Sequence, residues 1–137
     1  MEEKIKIKKS KVDARMPFYI TLGKTVIGFG KNSVQNEYLT FKKAHKSDTF
    51  VHIDLRSGSH IIIFDDKPTN EELLLASEIA LILSNQVAGD IKYTSVSNIK
   101  KGTSTGEVLM DHYKLITLRE IRESTYSLLK EQKRFIS

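Results

Sequence analysis

The sequence predicts an α+β domain: a mainly antiparallel sheet of about five to six strands with helices packed on one face. Short runs rich in β-branched and aromatic residues alternate with three stretches of helical periodicity, in the order ββαββαββα. Neighbouring strands are joined by loops too short for a crossover helix, so they should pair antiparallel. A chain of 137 residues is long enough to bury one core of this kind.

The first unit is a hairpin followed by a helix. Residues 17–22 and 24–29 are β-rich runs separated by a glycine, which is typical of a tight turn. Asn32 and Gln35 have the spacing of an N-terminal capping box, which predicts an amphipathic helix over residues 33–45. The apolar stripe predicted for this helix contains Val34, Tyr38, Phe41 and His45.

The second unit repeats this arrangement. Strands are predicted over residues 49–54 and 60–64, joined by a polar loop. Thr69 and Glu72 form another capping box, and the helix that they begin is predicted to run to about Val87. This helix is apolar around most of its circumference, so we expect it to be the buried central helix.

The third unit is predicted as two strands and a final helix. The strands cover residues 91–96 and 107–116, with a flexible loop at residues 100–106 between them. Thr117 and Glu120 suggest a third capping box. The apolar stripe of the C-terminal helix, which we expect to pack within the molecule, contains Ile121, Thr125, Leu128 and Phe135.

Composition excludes several classes of function. The chain has no cysteine, which rules out disulfides, thiolate metal sites and a cysteine nucleophile. The N-terminus lacks the apolar segment of a secretory signal. The longest apolar run, residues 73–83, is too short to span a bilayer. We therefore expect a cytoplasmic protein without a membrane partner.

The positive charge is concentrated in the first third of the chain. Residues 1–46 contain 11 Lys/Arg and 4 Asp/Glu, whereas the remaining residues contain 11 and 13. A one-sided basic surface attracts polyanions such as nucleic acid or an acidic membrane surface, although the same charge could serve only solubility. The alternating lysines of residues 4–8 are either an edge strand or a basic tail.

Residues 28–60 concentrate the groups that bind phosphate and sugar. Glycines and amides lie at the predicted strand-to-helix junction, where free N–H groups suit a phosphate. Histidine can donate to phosphate or stack on a base, and Arg56 follows His52 on the way to the next strand. A basic pair near residue 100 could clamp a phosphate or could be an ordinary solvated loop. The candidate nucleic-acid-binding residues are Lys31, Asn32, Asn36, Lys42, Lys43, His52, Arg56, Ser57, Gly58, Ser59, His60, Lys100 and Lys101.

Other interpretations of the same groups remain open at this point. Asn36 could be a structural hydrogen-bonding residue, and His52 could belong to a structural network with a carboxylate. His52, Asp54 and His60 could ligate a metal, but no second set of ligands is clustered. A Ser-His-Asp triad could be drawn from the same region, yet the chain has no Gly-x-Ser-x-Gly elbow. We therefore expect neither catalysis, nor a metal, nor a cofactor.

Three segments of this region resemble a known family. They are GKNSVQNEYLTFKKAHKSD at Gly30–Asp48, VHIDLRSGSHIII at Val51–Ile63 and, more loosely, YTSVSNIKKG at Tyr93–Gly102. Over about residues 15–118 the chain resembles the NFACT-R domain, the C-terminal RNA-binding module of ribosome quality-control factors. One departure is Ser57, where the family usually has a proline, so the loop should be less rigid.

The resemblance implies binding to tRNA or large-subunit ribosomal RNA, in ribosome quality control or translation. On this resemblance we expect residues 1–137 to form a single stand-alone NFACT-R-like domain, with a basic segment at 1–14 and an appended helix at 119–137. The partners implied are RNA and the ribosome or a ribosome-associated protein. A second hypothesis is a non-catalytic adaptor of a ribosome-associated complex, which would use the C-terminal helix or an exposed strand edge.

Overall fold

The computed structural model describes residues 15–131. The basic segment 1–14 and residues 132–137, which include Phe135, lie outside the described residues. The strands are β1 Phe18–Leu22, β2 Thr25–Phe29, β3 Thr49–Ile53, β4 Ile61–Ile63, β5 Gly89–Ser95, β6 Ile99–Lys101, β7 Val108–Met110 and β8 Lys114–Leu118. The helices are α1 Ser33–Tyr38, which continues as a π-helical turn Leu39–Lys43, then α2 Asn70–Leu83 and α3 Glu123–Lys130.

A six-stranded antiparallel sheet forms the centre of the fold. Its strand order is β1-β2-β4-β3-β5-β8, and every neighbouring pair in it is antiparallel. Strands β6 and β7 form a separate two-stranded sheet. The predicted α+β class and the mainly antiparallel sheet are confirmed. Along residues 15–131 no helix has the length and apolar character needed to cross a membrane.

The larger core lies between one face of the sheet and α2. Each fully buried isoleucine or phenylalanine in it stabilises the fold by roughly 1.5–3 kcal/mol. Side chains before and within α3 also pack against this core. The buried members are Ile20, Ile27, Phe29, Val51, Ile53, Ile61, Ile63 and Ile91 from the sheet, with Leu75, Ala76, Ile79, Ala80 and Leu81 from α2.

A smaller core covers part of the opposite face. It joins Phe50 and Ile62 of the sheet to Leu39 of the π-helical turn and to Ile99 of β6. The prediction of helices on one face therefore holds for α2 and α3, while α1 and the β6–β7 hairpin lie on the other face. Alternation of side chains along β3 explains this division, because Val51 and Phe50 point to opposite sides.

The buried face of α1 differs from the predicted one. Val34 is exposed, whereas the buried residues of this segment are Gln35, Asn36, Leu39 and Thr40. The π-helical turn contributes to the difference, because the N–H of Ala44 donates to the carbonyl of Leu39 five residues earlier. The helix ends at Lys43, as a π-helical turn, rather than at residue 45. Lys42 and Lys43 do lie in its last turn, as predicted.

Helix α2 begins as predicted and ends earlier than predicted. Thr69 and Glu72 form the expected capping box. The helix ends at Leu83 rather than near Val87. The reason is Asn85, whose φ of 58° lies in the left-handed region where asparagine can terminate a helix in place of glycine.

Residues 99–118 contain the main errors of the sequence prediction. Lys100 and Lys101 lie in strand β6, not in a loop. The single strand predicted over 107–116 is two strands, β7 and β8, which belong to different sheets. Thr117 does not cap a helix, because it lies in β8 and its hydroxyl donates to Asp90 at 2.6 Å.

Helix α3 is anchored to α2 by a buried carboxylate. Glu78 is 1% exposed and accepts hydrogen bonds from the guanidinium of Arg122 at 2.8–3.1 Å. It also accepts from the backbone N–H of Arg122 at 2.9 Å and from the Thr125 hydroxyl at 2.6 Å. Burial by itself raises the pKa of the Glu78 carboxyl, but these hydrogen bonds outweigh it and hold that pKa below its usual range.

Replacing Arg122 should loosen α3 because it leaves Glu78 buried without its counter-ion. We expect Arg122→Met to lower the free energy of unfolding by about 3 kcal/mol, measured by urea denaturation followed by circular dichroism. The control is Arg119→Met at an exposed position, which should change that free energy by less than about 0.5 kcal/mol. Equal losses in the two variants would contradict this role for Arg122.

Candidate nucleic-acid interface

A polar cleft opens where the β3–β4 loop, the start of α1 and the β6–β7 loop meet. Its volume is about 500 Å³. It brings together residues predicted for the site, among them Asn36 from α1 with His52 and Gly58 from β3 and the loop after it. Hydroxyls and cations form much of its wall, contributed by Ser33, Arg56, Ser57, Lys92, Ser104 and Thr105. The rest is lined by Gly106, Glu107, Val108 and Met110.

His60 joins the three segments that form this cleft. Its Nε2–H donates to the carbonyl of Gly106 at 2.9 Å. Because a carbonyl can only accept, Nδ1 is the unprotonated nitrogen, and it accepts from the Thr40 hydroxyl at 2.7 Å. The backbone N–H of His60 donates to the Asn36 side-chain oxygen at 3.1 Å. One residue thereby connects β4, α1 and the β6–β7 loop.

This arrangement revises the predicted roles of the buried candidates. His60 is 1% exposed and Ser59 is buried as well, so neither side chain can touch an RNA directly in this conformation. Asn36 is also mostly buried, and its side-chain oxygen is occupied by the His60 N–H. These residues therefore shape the cleft. For Asn36 this is the structural hydrogen-bonding role that the sequence left open.

The same hydrogen bonds bear on the metal and triad interpretations. Both ring nitrogens of His60 are engaged by Thr40 and Gly106, so neither is available to a metal or to a serine. Asp54 is paired with Lys92, whose ammonium lies 3.7 Å from its carboxylate. In the part of the chain that the structure describes, no group of three or more His, Asp or Glu side chains could hold a metal ion.

Gly30 is required by the close approach of α1 to the sheet. A Cβ at this position would lie 2.3 Å from the side-chain oxygen of Asn36, well inside any allowed contact. The N–H of Gly30 also donates to the carbonyl of His60 at 3.2 Å. Asn32 caps α1 by accepting from Gln35 N–H at 2.8 Å, as predicted. The Gln35 side chain accepts from the N–H of Lys31 rather than from Asn32, so the predicted box is only half formed.

His52 is half-buried on the wall of the cleft. Burial is the main cause that lowers the pKa of its imidazole, while the carbonyls of Ile53 and Gly58 act in the opposite direction. Its Nδ1 lies 2.6 Å from the carbonyl of Ile53. The ring also packs against Phe50 and His60 at centroid distances of 5.9 and 5.7 Å. His52 therefore presents a neutral ring edge to the cleft near pH 7.

The loop between β3 and β4 places Arg56 and Ser57 at the mouth of the cleft. Both are exposed. The preceding residue, Leu55, has a φ of 61° and is 91% exposed. A leucine in the left-handed region stores on the order of 1 kcal/mol of strain. The residues on either side of Leu55 must therefore hold the β3–β4 loop in this conformation.

The loop joining β6 to β7 is closely hydrogen-bonded, although the sequence suggested a flexible one. The Glu107 carboxylate accepts from Thr103 N–H at 2.7 Å, from the Thr103 hydroxyl at 3.0 Å and from Ser104 N–H at 3.1 Å. These bonds, led by Ser104, lower the pKa of the Glu107 carboxyl. Gly106, at a φ of 82°, donates its N–H to Glu37 at 3.0 Å and lies against Ser33.

The remaining predicted cations lie outside the cleft. The ammonium of Lys31 lies 4.3 Å from the centre of the Phe18 ring. Lys101 lies 3.7 Å from a carboxylate oxygen of Glu37. The other exposed candidates that do not line it are Asn32, Lys42, Lys43 and Lys100.

Several residues that line the cleft were not predicted from the sequence, among them Lys92 and the hydroxyls of the β6–β7 loop. Lys92 pairs with His52 in the sheet register, so the two side chains share a face. The signal in the sequence was the alternation of Lys92 with the apolar Ile91 and Tyr93. The loop hydroxyls carried no such signal, because their position depends on the hairpin folding over Ser33.

The neutral, buried His60 should make stability fall in mild acid. Burial, followed by the nearby His52, lowers the pKa of His60 from 6.5 to about 4. The unfolded chain therefore takes up a proton below pH 6.5, while the folded protein does not until about pH 4. Stability is fully present above pH 6.5 and is lost as the pH falls through that window. We expect a loss of about 1 kcal/mol between pH 7.5 and 5.5, measured by urea unfolding.

His60→Gln should be less stable at both pH values and lose less on acidification. His112→Gln, at an exposed histidine, is the control and should lose as much as the unmodified chain. If His60→Gln does not fold, an NMR titration of the unmodified protein provides the test. Its His60 ring protons should keep their neutral shifts down to about pH 5. Titration of that ring near pH 6.5 would contradict the assignment.

Comparison with known proteins agrees with the resemblance noted in the sequence. A family model described as the NFACT protein RNA binding domain matches residues 15–112. The Rqc2 homolog RqcH of Streptococcus suis is 35% identical over 85 residues, which cover 61% of this chain and 15% of that protein. The Rqc2 homolog RqcH of Bacillus subtilis is 33% identical over 96 residues, which cover 66% of this chain and 17% of that protein.

A solved structure shows the same fold. It is the C-terminal part of the fibronectin/fibrinogen-binding protein from Streptococcus suis, with a TM-score of 0.71 and 27% identity, and it covers 82% of this chain and 47% of that one. The chain thus spans about a sixth of the length of the curated relatives. Strand β8 and α3 lie beyond the family match. Because that match extends over more than half of its residues, the chain belongs to the NFACT-R family of RNA-binding domains.

Proposed function

We propose that the protein binds tRNA or large-subunit ribosomal RNA through phosphate contacts at the cleft and at the exposed cations around it. The observation that carries the proposal is the cleft itself, in which Arg56 and Lys92 stand among four hydroxyl side chains. Cations and hydroxyls are the groups that most often contact phosphate and sugar. Membership of an RNA-binding family supplies the class of polyanion.

The charge inside the cleft favours an anionic ligand. Its acidic wall residue, Glu107, accepts three hydrogen bonds from its own loop and closes that loop. The nearby Asp54 is paired with Lys92 at 3.7 Å. Arg56 lies at the mouth, where its planar guanidinium can take a phosphate through two parallel hydrogen bonds.

The residues outside the cleft have a second role in this proposal. Lys31, Lys42 and Lys43 are exposed and lie at the two ends of the α1 segment. Lys100 and Lys101 lie on β6 beside the same segment. Spread over one side of the molecule, such charges attract RNA from a distance and strengthen binding without reading its sequence. Asn32, Ser57 and the His52 ring edge would add hydrogen bonds to sugar or phosphate.

A ribosomal setting is the second part of the proposal. Relatives named Rqc2 homolog RqcH support a role in ribosome quality control or translation. The adaptor hypothesis loses its argument from the C-terminal helix, because the apolar face of α3 packs on the core with Leu128 and Leu129. Deleting residues 119–137 would therefore expose that core and would not be a clean test of partner binding. An adaptor that uses an exposed strand edge stays a prediction.

The direct test is the salt dependence of tRNA binding. We expect the logarithm of the dissociation constant of the full chain for labelled tRNA to rise linearly with the logarithm of salt between about 50 and 200 mM. Arg56→Met should weaken binding and reduce that slope by about 1, because one phosphate contact is lost. Fluorescence anisotropy at several salt concentrations provides both quantities.

The matched control is Lys130→Met, at an exposed cation on α3 across the sheet from the cleft. It removes the same unit of charge and should leave the slope unchanged. Absence of tRNA and rRNA binding at low salt would reject the proposed function. A slope that drops equally in both variants would place the contact elsewhere on the protein.

A further inference from the structure

The sheet face that contains His52 continues past the cleft to β8, the last strand of the sheet. Three side chains stand in register across it, because His52 pairs with Lys92 and Lys92 pairs with Leu115. Leu115 is 53% exposed although it lies within strand β8. An apolar side chain next to a lysine on an open sheet face offers a flat surface with positive charge at its border.

Tyr113 stands at the edge of this open face. Tyr113 is 46% exposed and lies two positions before Leu115 in the chain. The ammonium of Lys92 lies 5.2 Å from the centre of the Tyr113 ring and 3.7 Å from Asp54. Since Lys92 also lines the cleft, one lysine separates the cleft from the aromatic ring.

A second cavity borders the same ring from the other side. Its volume is about 810 Å³, within the range that ordinarily accommodates a small organic ligand. Tyr93 and Asn98 contribute to its wall, as do the carboxylates of Asp66 and Asp111. The carboxylates disfavour a phosphate here but do not oppose a neutral base. The two cavities differ in their balance of charge. Two cations and Glu107 line the cleft, whereas Asp66 and Asp111 line the larger cavity together with Lys114 and His112.

We propose that Tyr113 stacks on an unpaired base of the bound RNA, with the adjoining phosphate at Arg56 and Lys92 and the base directed toward the larger cavity. The inference rests on the proposed function and specifies which form of RNA is recognised. Aromatic rings on an exposed sheet bind single-stranded bases irrespective of sequence, since every base has a flat face. Paired bases are stacked within a helix and leave no such face for Tyr113.

The test uses a fluorescent reporter at this position. The chain contains no tryptophan, so Tyr113→Trp places a single indole on the open face. A single-stranded RNA decamer should quench its emission as it binds, whereas a duplex of equal length should not. An oligonucleotide of the same length with abasic sites should bind through its phosphates and leave the emission unchanged. Equal quenching by the single strand, the duplex and the abasic oligonucleotide would overturn the inference.

Affinity measurements provide the second readout. Tyr113→Leu keeps an apolar side chain and removes the ring, and it should weaken binding of the single strand about tenfold with an unchanged salt slope. Tyr113→Phe should bind like the unmodified chain. Tyr126→Leu, on α3 across the sheet, is the matched control and should change nothing. Circular dichroism of each variant shows whether it is folded, and the reporter variant provides the test if Tyr113→Leu is not.

The possible failures are distinguishable. If neither single-stranded RNA nor tRNA binds the unmodified chain at low salt, the proposed function fails and this inference fails with it. If RNA binds with the expected salt slope, but Tyr113→Leu retains full affinity or the indole is not quenched, stacking at Tyr113 is overturned and the phosphate-binding cleft stands. Tighter binding of duplex than of single strand would also overturn it.

Discussion

The candidate interface depends on the hydrogen bonds of one buried imidazole. His60 holds Thr40 on the α1 segment, Gly106 on the β6–β7 loop and the side chain of Asn36 at the same time. These segments are far apart in the chain, and His60 is bonded to all of them, while Glu37 of α1 adds bonds to Gly106 and Lys101. The neutral state of the ring is part of the constraint, since a charged imidazole would lose its bond from the Thr40 hydroxyl. Shaping of the cleft and binding of a ligand are thus assigned to different residues of one motif.

The central sheet separates the larger core from the candidate interface. One face carries the larger core and α2, which is tied to α3 through Glu78 and Arg122. The other face carries the smaller core, the cleft and the open area around Lys92 and Tyr113. Side chains that alternate along β3 and β5 contribute to both, so a polar surface can stand directly over a fully buried layer. This division allows cations and exposed rings on the binding side without a loss of packing on the other.

Local signals in the sequence predicted most of the elements, and they failed where long-range contacts decide. The capping box at Thr69, the hairpin of β1 and β2 and the pairing of β3 with β4 follow from near neighbours in the chain. The buried side of α1 was predicted wrongly, because Asn36 and Thr40 are polar, yet both are buried where they hydrogen-bond to His60. The strand predicted over residues 107–116 was divided in two, since nothing in its local pattern marks where the chain leaves one sheet for the other.

The sequence by itself determined the α+β class, the positions of the polar groups and the presence of a cationic surface, because these depend on composition and short-range periodicity. Tertiary structure decided which of the polar groups reach solvent. It buried His60 and Ser59, left Arg56 and Ser57 exposed, and brought in Lys92 from a strand more than thirty residues away. The physical reason is that burial and proximity across a sheet are set by strand register and by the hydrogen bonds between distant segments, which no local pattern encodes.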